Sequence, residues 1–327
     1  MKKIVLYAYS LKGGGTNMLK ELGVEKMTIP LPFRLDHVNC FIAQGEKGST
    51  IIDAGLKTTT TARIWQPILA AHEIGNIIIT HHHPDHFGYA GTLQQLTNAQ
   101  VSMTEIEAQE GLSVWKREMA KIYKERFDTF GFPANDFSRE LLPEDESIVK
   151  PYPTIHHYLQ EGQVIPFGKY EYEVILTPGH ADGLMTLYNK EQSILFSTDH
   201  ILPKITPNIA YWLQGDNNPL GAFFSSLKKI HLLDVDIIIP SHGQLFRGGN
   251  KRIEQLLAHH QERLEKVYEL IKEPTSIFQV NSHLFNTLSA HDFRFAIGET
   301  IAHLQYLYHQ QQCRKTFENG TWYYEAI

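Results

Sequence analysis

The sequence predicts an α/β protein in which helices cover a sheet. From Met27 onward, short runs of β-branched and aliphatic residues alternate with stretches of helical periodicity. Several of the strand-like runs end directly on histidine or aspartate, and the loops at strand ends are where a layered sheet gathers its chemistry. A chain of 327 residues, 42% hydrophobic and 20% charged, has the length and composition of one large soluble domain plus a smaller appendage.

The elements follow in order. Residues 1 to 28 form an opening segment broken at Gly13-Gly14-Gly15, and Met27 to Asp53 reads as strand, turn at Gly45-Glu46-Lys47-Gly48, strand. Thr58 to His72 is helical, Asn76 to Thr80 is a strand, and a further helix begins at Tyr89 and runs to Leu96. Residues about 103 to 150 read as a helical insertion: Glu105 to Phe127 has helical periodicity with mixed charge, and the aromatic stretch Phe127 to Pro133 breaks it. Its aromatics Trp115, Tyr123, Phe127, Phe130 and Phe132 are expected to bury one another rather than wall a cleft. Tyr172 to Thr177, Ser193 to Thr198 and Asp236 to Pro240 are strands. Asn250 to Lys272 is a long amphipathic helix, stopped by Glu273-Pro274-Thr275, so the division falls there: a domain over 1–272 and a module over 273–327. In the module, Thr275 to Phe285, Ala290 to Phe295 and Glu299 to Gln312 look helical. Arg314 to Glu318 and Thr321 to Glu325 flank Asn319-Gly320, a strong hairpin signal. Helices followed by a hairpin suggest a winged-helix-like module.

Thr80-His81-His82-His83-Pro84-Asp85-His86-Phe87-Gly88 packs metal-binding side chains behind an apolar strand. Three imidazoles and a carboxylate suit a divalent ion such as zinc, and the spacing suggests two ions. Extended chain presents His81 and His83 to one side and turns His82 away, while Asp85 and His86, past Pro84, face a second ion. His180, Asp199 and His242 also lie just past strand ends. His200 falls on the other face of its strand, and His259 and His260 lie on the helical run from Arg252, where packing is the expected role.

In that order, His81-x-His83-x-Asp85-His86, His180, Asp199 and His242 resemble the metallo-β-lactamase superfamily of dinuclear hydrolases over roughly residues 29 to 260. Asn39-Cys40-Phe41-Ile42, Ile52-Asp53-Ala54-Gly55 and Thr177-Pro178-Gly179-His180 look like the same family's strand-end signatures. The resemblance implies a four-layered αββα sandwich and two divalent metal ions, zinc first, with manganese or iron as alternatives. Carried over residue by residue, it gives one ion to His81, His83 and His180 and the second to Asp85, His86 and His242, with Asp199 bridging. Asp85 and Asp199 are then the catalytic carboxylates around a hydroxide shared by the ions, and Asp53 supports a ligand imidazole. Glu299 to Leu307, with Thr206-Pro207-Asn208 and Ala258-His259-His260, resembles the C-terminal part of the glyoxalase-II-related and lactamase-like endoribonuclease branch.

The activity expected from this is hydrolysis of a small ester, thioester or lactone. The alternative is a phosphodiesterase or endoribonuclease acting on RNA with the C-terminal module as guide. Thirty basic against 36 acidic residues give a net charge of −6, and no strongly basic stripe runs through the tail, so a small molecule is the expected partner and nucleic acid the weaker one. A purely structural metal site fits poorly, because those are usually closed cages rich in cysteine. Flavodiiron oxidoreductases want a glutamate at His83, whereas a persulfide dioxygenase, with a single iron, stays open. No run approaches a membrane span, Met1-Lys2-Lys3 leads to no small-residue cleavage site, and Cys40 and Cys313 are too few for a disulfide framework. The expected address is the cytoplasm, and the sequence carries no signal for oligomeric state.

Overall fold

A computed structural model describes residues 14–33, 35–114, 128–131, 146–212, 215–285 and 290–327. Most of the expected aromatic core of the insertion, Trp115, Tyr123, Phe127 and Phe132, lies outside the described residues.

Two six-stranded sheets form the centre. The first runs in chain order through β1 (Val24–Pro30), β2 (His37–Ala43), β3 (Ser49–Ile52), β4 (Ile74–Ile78), β5 (Gln100–Met103) and β6 (Ile155–Tyr158). β1, β2 and β3 pair antiparallel, and β3 to β6 pair parallel. The second contains β7 (Val164–Phe167), β8 (Tyr170–Leu176), β9 (Met185–Asn189), β10 (Ile194–Thr198), β11 (Ile237–Pro240) and β12 (Phe246–Arg247), in spatial order β12-β11-β10-β9-β8-β7. Its pairs are antiparallel except the parallel β10–β11 pair.

Why the sheets stack is legible in neighbouring residues. A strand sends successive side chains to opposite faces, and here both faces are apolar. Ile52, Ile78, Phe196 and Ile239 meet in one core between the sheets, where the Phe41 and Phe196 rings pack edge to face with centroids 5.2 Å apart. Their neighbours Ile51 and Ile77 point to the outer face of the first sheet, against Trp65 of α2 (Thr59–Ala71) and Leu93 of α4 (Ala90–Thr97). Leu195 and Ile238 point to the outer face of the second sheet, against α6 (Pro219–His231) and α7 (Gly249–Leu270). Helix, sheet, sheet, helix is the only layering that removes all four apolar faces from water.

The remaining described helices are α1 (Gly14–Leu22), the single turn α3 (Pro84–Phe87), α5 (Glu105–Ser113), α8 (Ile277–Leu284) and α9 (Ala290–His309). After α7 come the two residues of β13 (Thr275–Ser276), then α8, whose Ser276 and Gln279 form a reciprocal capping box, then α9. β14 (Cys313–Glu318) and β15 (Thr321–Ala326) close the chain, and β15 is the middle strand of a three-stranded sheet with β13. Asn319 (φ 51°) and Gly320 (φ 83°) supply the positive φ values that a tight hairpin turn requires. Leu307, Cys313 and Tyr324 belong to the same apolar cluster as Leu195 and Phe223, so the tail shares its core with the outer face of the second sheet. Phe130, within the insertion, is buried in that shared core among the described residues.

Three expectations are corrected. Gly14 and Gly15 lie in the first turn of α1 rather than in a break. Thr275 and Ser276 pair with β15 instead of starting a helix. Ala290 to Phe295 and Glu299 to Gln312 are not two helices: α9 runs unbroken through Gly298 to His309. A mid-helix glycine costs about 1 kcal/mol relative to alanine, and tertiary packing overrides that propensity here.

α7 and α9 meet at a buried histidine pair, His260 Nδ1 lying 3.2 Å from His303 Nε2. Burial, then the neighbouring His303, pushes His260 down to about 2, and burial pushes His303 to about 3. An unfolded histidine titrates near 6.5, so below that pH the unfolded chain takes up protons that the folded chain refuses. Each histidine should therefore remove stability, about 1.4 kcal/mol per pH unit, as pH falls from about 6.5. Urea unfolding between pH 7 and 5 should show this slope, reduced by about two protons in His260→Asn/His303→Asn. An unchanged slope in the double variant would refute the assignment.

Candidate metal centre

Each candidate side chain sits where a central strand ends. β3 stops at Asp53, which takes a left-handed conformation (φ 59°) and turns its carboxylate across to the next strand. There Asp53 Oδ1 accepts the Thr80 backbone N–H (2.9 Å) and Oδ2 the Thr80 hydroxyl (3.0 Å). His81 follows, and Pro84 opens α3 with His83 at its N-cap, so one helical turn carries Asp85 and His86 back toward the strand end. His82 faces away. Its backbone N–H and Nδ1 both bind Glu107 Oε2 (2.8 and 2.7 Å), and Glu107 Oε1 accepts Gly183 N–H (2.6 Å). A fully buried carboxylate thereby latches the histidine loop to the β8–β9 connection.

In the second sheet, the turn after β8 brings in His180 behind Gly179, whose φ of 139° and approach to α6 leave no room for a side chain: a Cβ would stand 2.5 Å from Phe223 Cβ. β10 ends at Thr198, a β-branched residue at φ 48°, a strained conformation that re-aims the following Asp199. His242 follows β11, and its loop is clamped by the first sheet. Asn39 N–H donates to Ser241 O (2.6 Å), Asn39 Nδ2 to Gly243 O (2.9 Å), and the His37 carbonyl accepts His242 Nδ1 (2.6 Å).

All seven expected residues come together. His81 Nε2 lies 3.1 Å from His83 Nδ1. Asp199 Oδ2 lies 3.4 Å from His180 Nε2, 3.5 Å from His86 Nε2 and 3.2 Å from His242 Nε2. Asp85 Oδ2 lies 3.6 Å from His86 Nε2 and 3.5 Å from His242 Nε2. Ligands about 2.0 to 2.1 Å from a tetrahedral zinc ion are separated by roughly 3.3 Å, which these spacings match. His81, His83 and His180 form one group able to hold an ion, and Asp85, His86 and His242 another, with Asp199 grouped with His81 and His86 between them.

Hydrogen bonds on the far sides of the rings fix which nitrogen faces inward. A carbonyl only accepts, so His180 Nδ1, bound to Asn208 O (2.8 Å), and His242 Nδ1, bound to His37 O, carry their protons. His86 Nδ1 donates to Asp53 Oδ2 (2.7 Å). The Thr80 hydroxyl, donating to Asp53, is left to accept from His81 Nδ1 (3.1 Å). Asp53 thus sets two rings, one directly and one through Thr80. His86 Nε2, His180 Nε2 and His242 Nε2, which face inward, and Asp199 Oδ1 are buried with no hydrogen-bond partner among the described residues, and a cluster of buried acceptors is costly unless a cation satisfies it.

The electrostatics agree. Burial, then the neighbouring imidazoles, pushes His81 and His83 well below the ordinary imidazole range, so both are neutral donors. Burial opposes ionisation of Asp199, but His242 and His86 outweigh it and hold the carboxyl well below its usual range. Against the same burial, the carboxylates led by Asp199 raise His86 and His242. A fourth group, His82, Glu107 and Glu110, also lies within ligating distance, but Glu107 is already committed to His82 and Gly183.

A narrow cleft opens beside His180, lined among others by His82, Glu110, Asp182, Trp212 and Asp216. Sequence reasoning missed Thr80, Glu107 and the carbonyls of His37 and Asn208. Backbone carbonyls leave no side-chain signal, and Glu107 stands in a helical stretch of mixed charge where nothing local sets it apart from Glu105 or Glu110. His200 packs on the Phe223 ring, centroids 5.3 Å apart, away from the centre.

Residues 33–242 match the family model of the metallo-beta-lactamase superfamily, and residues 264–327 match that of the metallo-beta-lactamase-like C-terminal domain. The chain is similar to a beta-lactamase domain protein from Burkholderia ambifaria, with a TM-score of 0.85 and 29% identity over 93% of this chain and 92% of that one. It is 24% identical to the probable metallo-hydrolase YqjP of Bacillus subtilis, over 91% of this chain and 96% of the relative. A third relative, the acyl-coenzyme A thioesterase MBLAC2 of Gallus gallus, is 30% identical over 31% of this chain and 36% of its own length. Two stacked sheets, ligand-type residues at four strand ends and a family match across most of the chain lead to one conclusion: this protein belongs to the metallo-β-lactamase superfamily and is a hydrolase.

Proposed function

We propose that the protein is a dinuclear, zinc-dependent hydrolase of a small acyl thioester. The observation that carries this reading is the set of buried acceptor atoms on His86, His180, His242 and Asp199 that converge without hydrogen-bond partners. His81, His83 and His180 would hold one ion and Asp85, His86 and His242 the second, with Asp199 placed between the two groups. Such a pair of ions, when bound, lowers the pKa of a coordinated water toward neutrality and polarises the acyl oxygen.

The chain's own residues do the rest. Asp53 holds the proton on His86 Nδ1 and, through Thr80, the one on His81 Nδ1, so that both rings offer a lone pair inward. Glu107 keeps His82 out of the centre and fixes the backbone between His81 and His83. Asp85, with its side chain 15% exposed, is the carboxylate open to solvent and the one placed to hold a proton as the leaving group departs. Among the described residues, the lining of the neighbouring cleft presents Glu110, Asp182 and Asp216 and no lysine or arginine. Such a wall disfavours phosphates at the reacting bond and supports an acyl substrate over RNA. The Gallus gallus relative, named as an acyl-coenzyme A thioesterase, is compatible with the thioester.

Zinc-loaded protein should contain close to two ions per chain by elemental analysis and should hydrolyse short acyl thioesters faster than lactones, phosphodiesters or RNA. A reproducible single ion with full activity would remove the dinuclear mechanism. Metal-dependent cleavage of RNA alone would replace the substrate reading with the endoribonuclease, guided by a winged-helix-like module over 273–327.

His83→Ala and Asp85→Ala should each lower turnover by orders of magnitude with the fold intact, because both residues sit on the loop and turn beyond a strand end, outside the apolar cores. Asp53→Asn isolates the supporting charge, since asparagine tolerates the left-handed φ of 59°. It should weaken zinc binding by about 10- to 100-fold in a chelator competition while the melting temperature of the metal-free protein stays nearly constant. Wild-type zinc affinity in this variant would show that Asp53 does not set the two rings.

A further inference from the structure

We propose that Gly298 and Arg252, on two helices that carry no ligand, are positioning residues for His180. The inference rests on His180 being a metal ligand. The link is the segment 201–212 between β10 and α6, which contains no helix or strand of its own. Its Asn208 carbonyl fixes the tautomer and aim of His180, yet a segment without ladder pairing keeps its place only through what holds it from outside.

Two anchors bracket it. Arg252, in the first turn of α7, donates Nε–H to Leu202 O and Nη2–H to Ile205 O, both at 2.7 Å. Six residues after the first of these carbonyls comes Asn208. On its far side, Tyr211 N–H donates to the Gly298 carbonyl in α9 (3.0 Å), and Trp212 packs edge-on against Phe295, centroids 6.3 Å apart. The backbones come this close because residue 298 has no side chain: a Cβ there would stand 2.8 Å from Ala210 Cβ. Glycine is a poor residue for a helix interior, and this contact accounts for it. Ile209 and Ala210 are buried between the anchors, and Ala210 stands on the wall of the cleft, so a push at residue 210 shifts that wall and is passed along the chain to Asn208 two residues away. Trp212 also lines the cleft. One segment therefore couples the module matched over 264–327 to a ligand imidazole and to the cleft wall.

The test measures zinc affinity of the full-length protein by competition with a chromophoric chelator, alongside kcat, KM and thermal midpoint. Gly298→Ala should weaken one of the two zinc sites by about tenfold, in the range seen when a residue orienting a ligand is lost, and lower kcat. Adding Ala210→Gly removes the opposing methyl and should restore affinity to within about twofold. Arg252→Ala releases the other anchor without a clash and should weaken the same site, so it carries the test should Gly298→Ala fail to fold. Val267→Ala, a core change in α7 about four helical turns beyond Arg252, should lower the thermal midpoint and leave zinc affinity unchanged. Wild-type zinc affinity in both Gly298→Ala and Arg252→Ala would overturn the proposal, as would an equal loss in Val267→Ala. His180→Ala separates the two readings. If it keeps both zinc sites, the ligand assignment fails and the positioning role falls with it. If it loses one while Gly298→Ala and Arg252→Ala keep both, only the positioning role fails.

Discussion

Lone pairs of imidazoles and carboxylates face one another across spaces of 3.1 to 3.6 Å at the ends of four central strands. Positive charge makes that arrangement favourable: a bound metal ion or, without one, protons on His86 and His242, which the neighbouring carboxylates raise against burial. Every second contact around the centre serves to keep those atoms aimed inward. Carbonyls at His37 and Asn208 and the carboxylate of Asp53 accept the outer ring protons, and each acceptor belongs to a different segment of chain.

That demand explains features with no role in stability alone. Asp53 and Thr198 adopt left-handed conformations at the ends of β3 and β10, which L-residues other than asparagine, aspartate and glycine take only at a cost of about 1 to 3 kcal/mol. Regular strands would carry Asp53 and Asp199 on along the sheet; the reversal of φ turns them across it. The apolar packing of both sheets, with β9, β10 and β11 buried on both faces, supplies the rigidity against which such strain persists.

The sheets are also held in register with each other at the centre itself. Asn39 and His37, at the start of β2, grip the loop after β11 through four hydrogen bonds and so fix His242 against a strand of the opposite sheet. Glu107 does the same between the histidine loop and the β8–β9 turn. A buried carboxylate costs several kcal/mol unless its oxygens are satisfied, and here two backbone N–H groups and one imidazole satisfy it. Metal binding and sheet packing are therefore one cooperative arrangement, and the C-terminal helices, sharing a core with α6 and α7, belong to it as well.

Much of this was legible in the sequence. The strands before His81, His180, Asp199 and His242, the helix Thr59–Ala71 and the Asn319-Gly320 hairpin follow from period-2 and period-3.6 patterns and turn chemistry, which are local properties of the chain. The extended spacing also told His83 from His82, because alternation along a strand end is geometry that two residues carry by themselves. What only the tertiary structure decided lies between distant segments. Examples are the carbonyls that fix two ring tautomers, the Glu107 latch, the burial of Phe130 in a core it shares with the tail, and the continuity of α9 through Gly298. A backbone carbonyl has no residue identity, and a glycine in a helix reads as a break until Ala210 stands against it. Local pattern determined which residues could act; the packing of two sheets and a C-terminal module decided which atoms of them face one another, because that depends on contacts from 25 to 205 positions apart in the chain.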